Sequence, residues 1–132
     1  VDDYAHHPSE VESTIQAAKS GWGRRIISVF QPHLFTRTRD FYEDFAQAFQ
    51  KSDIFIVTDI YQAREMPIPG ITGEIISDTA KKMGHKHVEY IPDQTQIAAR
   101  LSEIAESNDI IMTMGAGNIW RQCERIHEAL CN

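Results

Sequence analysis

The sequence predicts an α/β fold with a doubly wound, mostly parallel sheet of five or six strands and helices on both faces. Strand and helix signals alternate along all 132 residues, as they do where parallel strands are joined by right-handed crossovers. The predicted inner strands are short and almost wholly apolar, which is typical of strands covered on both faces. The length fits a single domain over residues 1–132, since globular domains most often contain roughly 100 to 150 residues.

The first elements carry the densest polar motif of the chain. A strand is predicted to end near Asp3, and a helix from Pro8 to Gly21 follows it. Proline suits the first helical position, and His7 is the predicted N-cap. The β-branched run at 25–30 is too short for a helix and too apolar for an edge strand, so it is predicted as a buried strand.

The later segments continue the same alternation. The remaining strands are predicted at 53–58, 87–91 and 109–113. The helix before the first of these strands is capped by Thr36 and has the core stripe Phe41, Phe45, Ala48 and Phe49, and the helix after it runs from its cap Thr72 to Gly84. The next helix is capped by Asp93 and carries Ile97, Leu101 and Ile104, and the last helix has Ile119, Cys123, Ile126 and Leu130 on its apolar face. The polar segment 59–70 is longer than an ordinary connection, and long loops often bind ligands.

Composition excludes several classes of protein. The formal charge is -6, with 19 acidic and 13 basic residues, which argues against nucleic acid as a partner. The sequence has no apolar run of the eighteen or so residues that a membrane span requires, so we expect no membrane partner. Two cysteines are too few for a disulfide framework and favour a reduced, cytoplasmic setting. Because the chain begins on Val1 with its richest motif there, we expect it to be part of a longer protein.

Four polar motifs follow predicted strands. They occupy residues 3–7, 31–37, 59–65 and 115–118. In a parallel α/β sheet, ligands bind beyond the carboxyl ends of the strands. The sequence therefore predicts that these motifs share one edge of the sheet and form a single site there.

The motif at residues 2–8, Asp-Asp-Tyr-Ala-His-His-Pro, has a structural and a functional interpretation. A single histidine or aspartate of this kind is more often present to satisfy backbone hydrogen bonds. Two carboxylates, a phenol and two imidazoles together favour a binding site. A carboxylate can accept hydrogen bonds from ribose hydroxyls or hold a magnesium-bound water, and imidazoles near a helix N-terminus can bind anions.

Arg37 is a candidate for binding a carboxylate. A predicted turn at Pro32 presents His33 and Arg37 at the start of a helix, and the planar guanidinium can donate two parallel hydrogen bonds to one carboxylate. The alternative is that Arg37 and Arg39 only pair with surface acids such as Asp40 or Glu43. Spacing alone leaves these two interpretations equally weighted.

Other motifs carry weaker signals. The mixed charges at 59–65 are more often a solvated surface, and the glycine loop at 115–118 lacks the third glycine of a dinucleotide-binding pattern, so its glycines more simply allow a close backbone approach. Adjacent histidines His6 and His7 should point in different directions, and we expect no metal site in this chain. No Gly-x-Ser-x-Gly elbow of a serine hydrolase is present.

Taken together, the motifs at 2–8, 30–38, 58–70 and 114–119 resemble the C-terminal domain of the Mur ligase family, in particular the ligases that join L-alanine to UDP-N-acetylmuramate. The resemblance covers the chain from end to end and keeps the motifs in order. It implies a Rossmann-like third domain of an ATP-dependent, amide-forming ligase of cytoplasmic peptidoglycan synthesis. The N-terminal UDP-binding domain and the central ATPase domain, with its Gly-Lys-Thr phosphate loop, are absent from this sequence, so the chain alone is not expected to turn over.

The resemblance also implies roles for individual residues. Asp3 resembles the carboxylate that meets the adenosine ribose, with Tyr4 and His7 beside it on the ATP side. His6, His33 and Arg37 resemble the groups that receive L-alanine, with Arg37 on its carboxylate. ATP and Mg²⁺ would be held mainly by the central domain. Many family members have arginine where this chain has Leu34, which places more of the anion binding on Arg37.

A second hypothesis remains open from the residues alone. A stand-alone flavodoxin-like or receiver-like module would use the same edge of the sheet to hold a small anion. Asp59 lies where a receiver has its phosphorylated aspartate, but no lysine follows the predicted strand at 109–113.

Overall fold

The computed structural model describes residues 2, 3 and 5–131, and of residues 2, 3 and 131 it describes the backbone alone. Strands and helices alternate as predicted. The elements are β1 (Asp2–Asp3), α1 (Pro8–Trp22), β2 (Ile26–Phe30), α2 (Phe35–Ala48), β3 (Ile54–Val57), α3 (Glu74–Lys82), β4 (Val88–Tyr90), a 3-10 turn (Gln94–Gln96), α4 (Ile97–Ile104), β5 (Ile110–Met114), a second 3-10 turn (Ile119–Arg121) and α5 (Gln122–Cys131).

The sheet is parallel throughout its described pairings, in the order β1-β5-β2-β3-β4. The predicted α/β class with a parallel sheet between helices is confirmed. The predicted count of five or six strands is too high for the body of the sheet, which has four strands of three to five residues. β1 adds only a two-residue pairing at the edge.

The register brings the last residue of every strand into one row. Asp3 and Phe30 both pair with Met114, Phe30 also pairs with Val57, and Val57 pairs with Tyr90. The loops that follow the strands therefore all leave from the same edge of the sheet, which we call the carboxyl edge. This is the arrangement that the positions of the polar motifs predict.

Helices cover both faces of the sheet. Helices α1, α2 and α3 pack on one face around a cluster of aromatic rings, in which Phe49 and Phe55 stack with their centroids 4.0 Å apart. Helices α4 and α5 pack on the other face over the β-branched residues of β2 and β3. Of the predicted α2 stripe, Phe45, Ala48 and Phe49 are buried, but Phe41 is 38% exposed and is not part of the core.

Element ends agree with prediction to within a few residues, with two corrections at helix starts. Thr36 is not an N-cap, because α2 begins at Phe35 with Leu34 in the N-cap position. Thr72 is not one either, because Gly73 precedes α3. Asp93 does accept from the amide of Thr95, as a cap does.

The opposite edge of the sheet, which we call the amino edge, is tied by ion pairs. Arg25 donates to both carboxylate oxygens of Asp109, at 2.9 and 2.5 Å, and Lys19 pairs with Asp53 at 2.5 Å. The Arg25 guanidinium holds the pKa of Asp109 below its usual range. Among the helices that the structure describes, none has the length and apolarity that crossing a membrane requires.

Candidate functional site

The turn between β2 and α2 presents His33 and Arg37 at the carboxyl edge. Pro32 follows the strand, and Leu34 then adopts φ 72°, a conformation that side-chain-bearing residues rarely take. The Leu34 amide donates to the carbonyl of Tyr61 at 2.9 Å, and the Tyr61 amide donates to the carbonyl of Pro32 at 2.8 Å. These two bonds hold the strained turn against the loop that follows β3.

The three residues predicted to receive an amino acid lie together. The ring centroids of His6 and His33 are 6.2 Å apart in an edge-on arrangement, and Nη1 of Arg37 lies 3.2 Å from Nδ1 of His33. All three residues are half-buried. Residues from two separate motifs therefore form one polar surface, which we call the His-Arg site and define as His6, His33 and Arg37.

The electrostatics of the His-Arg site suit an anion. Burial, followed by the positive charges of Arg37 and His6, lowers the pKa of His33 below its ordinary value. A neutral His33 whose Nδ1 accepts from Arg37 carries its proton on Nε2, which can donate to a ligand. Its role in such a site is that of a hydrogen-bond donor.

Arg37 and Arg39 differ in their partners. Arg39 pairs with Asp40 at 2.9 Å, which is the surface pairing that the sequence left open for both arginines. Within the described part of the chain, no carboxylate forms an ion pair with Arg37. Its guanidinium instead meets a neutral imidazole, so its charge remains available to a bound carboxylate.

The loop after β3 forms one wall of the site. The ring of Tyr61 stacks on His33 with centroids 5.7 Å apart and planes 14° apart. The Glu65 carboxylate accepts from the amide and the hydroxyl of Thr36, at 3.1 and 2.5 Å. The sequence favoured a solvated surface for this segment, but these contacts place Tyr61 and Glu65 next to the His-Arg site.

The glycine loop after β5 is joined to the same structure through Gln31. This buried side chain accepts from the amides of Asn118 and Ile119 and donates to the side-chain oxygen of Asn118 at 2.7 Å. A Cβ on Gly117 would lie 2.6 Å from both Gln31 Oε1 and Tyr61 Cγ, closer than real Cβ atoms approach. The prediction that these glycines permit a close backbone approach is confirmed.

A polar cavity of about 390 Å³ is lined in part by Tyr61. Its walls come from the ends of β2, β3 and β4 and from the glycine loop, and they include Gln31, Asp59, Gln94 and Asn118. Both amide side chains, Gln31 and Gln94, donate to Asn118. Tyr61 therefore contacts both this cavity and the His-Arg site.

The residues predicted on the nucleotide side are only partly described. Asp3 lies at the end of β1, level with Phe30, but its side chain and the whole of Tyr4 lie outside the described residues. His7 is confirmed as the N-cap of α1, where its amide donates to Glu10 at 3.1 Å. It is exposed, and its ring centroid lies 5.0 Å from that of His6.

The expectation that His6 and His7 point in different directions is wrong. The start of α1 brings their rings and Glu10 together, so that one ligand atom of each lies within 4.8 Å of the others. Two imidazoles and one carboxylate do not suit Mg²⁺, which prefers oxygen ligands in octahedral geometry. This cluster therefore offers no fit for the magnesium that an ATP-dependent reaction needs.

Comparison with known proteins identifies the family of this chain. The family described as "Mur ligase, glutamate ligase domain" matches residues 1–117. A UDP-N-acetylmuramate–L-alanine ligase from Geotalea uraniireducens is 48% identical over 130 residues, which cover 98% of this chain and 28% of that protein. The corresponding ligase from Salinibacter ruber is 44% identical over 133 residues, covering 100% of this chain and 28% of that protein.

A solved structure gives the same result for the fold. The UDP-N-acetylmuramate-alanine ligase from Thermotoga maritima is 27% identical, with a TM-score of 0.71 over 95% of this chain and 25% of that one. Fold and site together define a doubly wound α/β domain with a half-buried histidine-arginine surface at its carboxyl edge. The chain belongs to the Mur ligase family, and it spans a little over a quarter of the length of the curated relatives it matches.

The sequence placed the motifs that hold the supporting residues at this edge but did not predict the contacts of those residues. Tyr61, Glu65, Gln31 and Asn118 each contact a residue distant in sequence, and none stands in a spacing that signals such contacts. Gly115 and Gly117 did indicate such a contact, since glycine permits a close approach to the backbone.

Proposed function

We propose that this chain is the amino-acid-binding domain of an ATP-dependent ligase that joins L-alanine to UDP-N-acetylmuramate in cytoplasmic peptidoglycan synthesis. The observation that carries the proposal is Arg37, half-buried beside neutral His33 and near His6, at the carboxyl edge of a Mur ligase domain. A guanidinium without a carboxylate partner among the described residues is suited to an amino-acid carboxylate.

In this proposal Arg37 binds the alanine carboxylate through paired N–H donors, and Nε2–H of His33 donates a further hydrogen bond. His6 lines the opposite side of the His-Arg site. Fixing the carboxylate leaves the neutral amine of alanine free to point away from the domain. Orientation of this kind removes several kcal/mol, about 7 or more in favourable cases, from the barrier of a two-substrate reaction.

The chemistry that such an oriented amine performs is acyl transfer. The γ-phosphoryl group of ATP passes to the carboxylate of UDP-N-acetylmuramate, giving an acyl phosphate and ADP. The alanine nitrogen then attacks the acyl carbon, phosphate leaves, and the nitrogen loses a proton as the amide forms. The domain contributes position, because acyl phosphates need little further activation.

ATP and Mg²⁺ complete the proposal. Magnesium offsets negative charge on the phosphates when it is bound. We assign its ligands to parts of the full-length protein other than this domain, since the His6, His7 and Glu10 cluster does not suit it. Asp3, Tyr4 and His7 are proposed to face the nucleotide, and the partners are the N-terminal and central domains of the same protein.

The receiver-like alternative has less support. Asp59 accepts hydrogen bonds from the Tyr90 hydroxyl and from the amide of Ile60, and the Mur ligase match extends across its segment. The relatives described above are ligases, which supports the ligase hypothesis over the flavodoxin-like one.

The experiment that tests the proposal compares the chain alone with the chain joined to its missing domains. We expect ADP release that requires both L-alanine and UDP-N-acetylmuramate from the joined protein, and none from the 132-residue chain. ADP release by the joined protein that does not depend on L-alanine would refute the assignment.

A further inference from the structure

We propose that Glu65 is a positioning residue of the amino-acid site, which holds the first turn of α2 and thereby sets Arg37 against His33. The proposal rests on the function proposed above and deepens it, since it names a residue outside the His-Arg site on which alanine binding depends.

Helix α2 begins without a cap of its own. Leu34 occupies the N-cap position, and its apolar side chain cannot accept a hydrogen bond from the first turn. The first four amides of a helix have no partners within it, so an acceptor must come from elsewhere. Asp or Glu is also absent from the first turn of α2.

Glu65 supplies this acceptor from the loop after β3. One carboxylate oxygen accepts from the amide of Thr36 at 3.1 Å, and the other accepts from its hydroxyl at 2.5 Å. The two bonds engage a residue 29 positions away. A carboxylate at a helix N-terminus is further favoured by the helix dipole.

The same loop is fastened on the other side of the turn. Two backbone hydrogen bonds join Tyr61 to Pro32 and Leu34, and the Tyr61 ring stacks on His33. His33 is therefore fixed by Tyr61, while the helix turn that carries Arg37 is fixed by Glu65. The 3.2 Å separation between Arg37 and His33 depends on both attachments.

Charge supports the attachment at neutral pH. The hydrogen bond from the Thr36 hydroxyl, with those from backbone amides, holds the pKa of Glu65 below its ordinary value. The carboxyl group is therefore ionised at neutral pH. Loss of the Glu65 carboxylate would release the first turn of α2. The guanidinium of Arg37, which this turn carries, would then lose its fixed direction.

The test is steady-state kinetics of the full-length ligase with Glu65→Ala and, as a matched control, Glu74→Ala. Glu74 is an exposed acid in the first turn of α3 and touches neither His33 nor Arg37. We expect Glu65→Ala to raise the KM for L-alanine about fivefold, the factor that corresponds to loss of one helix cap, and to leave the KM for ATP unchanged. Glu74→Ala should leave both constants unchanged.

A second comparison separates positioning from simple stability. In a Glu65→Ala background, Arg37→Ala should cost less than it does in the parent, because the arginine is already misdirected. If Glu65→Ala lowers the unfolding midpoint but leaves alanine KM and the effect of Arg37→Ala unchanged, the positioning role is overturned. Glu65→Gln, which keeps an acceptor without charge, should recover part of the alanine affinity.

Three further outcomes have defined meanings. If Glu65→Ala does not fold, Thr36→Val tests the same contact, because it removes only the hydroxyl bond; a rise in alanine KM supports the proposal and an unchanged value overturns it. If Arg37→Ala itself leaves alanine KM unchanged, the proposed function fails. If Arg37→Ala raises it and Glu65→Ala does not, only the role of Glu65 fails.

Discussion

The two edges of the sheet use arginine in opposite ways. At the amino edge, Arg25 donates twice to the nearly buried carboxylate of Asp109 and once to the carbonyl of Ile104. At the carboxyl edge, Arg37 meets a neutral imidazole, and no carboxylate pairs with it in the part of the chain that the structure describes. The first arginine is satisfied by the fold itself, and the second retains its capacity to bind an anion from outside.

This difference separates stability from function. A guanidinium that already holds a carboxylate contributes to folding, because removing it leaves a nearly buried charge with fewer hydrogen-bond partners; of these, Asp109 would keep the amide of Glu106. A guanidinium held against an imidazole contributes little to folding but is already oriented for a ligand. Mutations at the two edges should therefore affect different measurements.

The largest expected effect is that Arg37→Ala changes alanine kinetics and Arg25→Ala changes stability, with little overlap between the two. In the full-length ligase, Arg37→Ala should lower kcat/KM for L-alanine roughly 10- to 150-fold, the range for lost hydrogen bonds to a charged group, with little change in unfolding free energy. Arg25→Ala should lower the unfolding free energy by about 2 kcal/mol and leave the alanine constants unchanged. Urea unfolding and steady-state kinetics on both variants provide the measurements.

A result in which both variants lose stability equally, with alanine kinetics unaffected by either, would remove the distinction between the two edges.

The next effect compares two glycines. Gly117→Ala places a methyl group against Gln31 and Tyr61 at the carboxyl edge, and overpacking of this kind costs about 1–3 kcal/mol. Gly21→Ala, near the end of α1, meets nothing within 4 Å and should stabilise by up to about 1 kcal/mol because alanine is the better helix former. Thermal unfolding of both variants measures the contrast, and equal effects would show that Gly117 has no close neighbours.

A smaller effect is the pH dependence of stability, which should differ between the edges. The folded pKa of His33 is lowered, so the unfolded chain takes up the proton first and stability falls as the pH drops below about 6.5. The folded pKa of Asp109 is also lowered, so its contribution is present above pH 3.8 and is lost as the pH falls through the folded pKa.

These two windows can be separated by substitution. His33→Gln should flatten the slope just below pH 6.5, and Asp109→Asn should flatten the acid limb. Urea midpoints measured from about pH 3 to pH 8 give both slopes, and a slope near pH 6.5 that survives in His33→Gln would exclude His33 as its source.

The smallest effect belongs to Arg39, two positions from Arg37. Its guanidinium is exposed and pairs with Asp40, and exposed pairs contribute at most about 1 kcal/mol. Arg39→Ala should therefore change neither stability nor alanine kinetics measurably. A loss of alanine affinity equal to that of Arg37→Ala would mean that general positive charge, and not the geometry of Arg37, binds the substrate.

Much of this architecture is readable from local patterns. Short apolar runs such as 25–30 predict buried parallel strands, and parallel strands bring the motifs at 3–7 and 31–37 to one edge whatever their order in the sheet. The chemical nature of Arg37 and the imidazoles is also visible in the sequence. The structure adds that Arg39 is already paired with a carboxylate, whereas Arg37 contacts the imidazole of His33.

The remaining features depend on contacts between distant segments. A helix capped by a carboxylate 29 residues away leaves no local signature, so the sequence assigned the cap to Thr36, whose hydroxyl donates to Glu65 instead. The convergence of His6 and His7 follows from the turn into α1, which an argument from adjacency alone does not capture. Side chains that reach across loops are the part of a site that local spacing leaves undetermined.

The most direct test of alanine binding by Arg37 removes the carboxylate from the substrate instead of the protein. In the full-length ligase, kcat/KM is measured for L-alanine and L-alaninamide with the parent enzyme and with Arg37→Ala. If the guanidinium binds the carboxylate, the substitution should cost at least about tenfold more with L-alanine than with L-alaninamide. Equal losses with the two substrates would contradict the account, since Arg37 would then act on something other than the carboxylate.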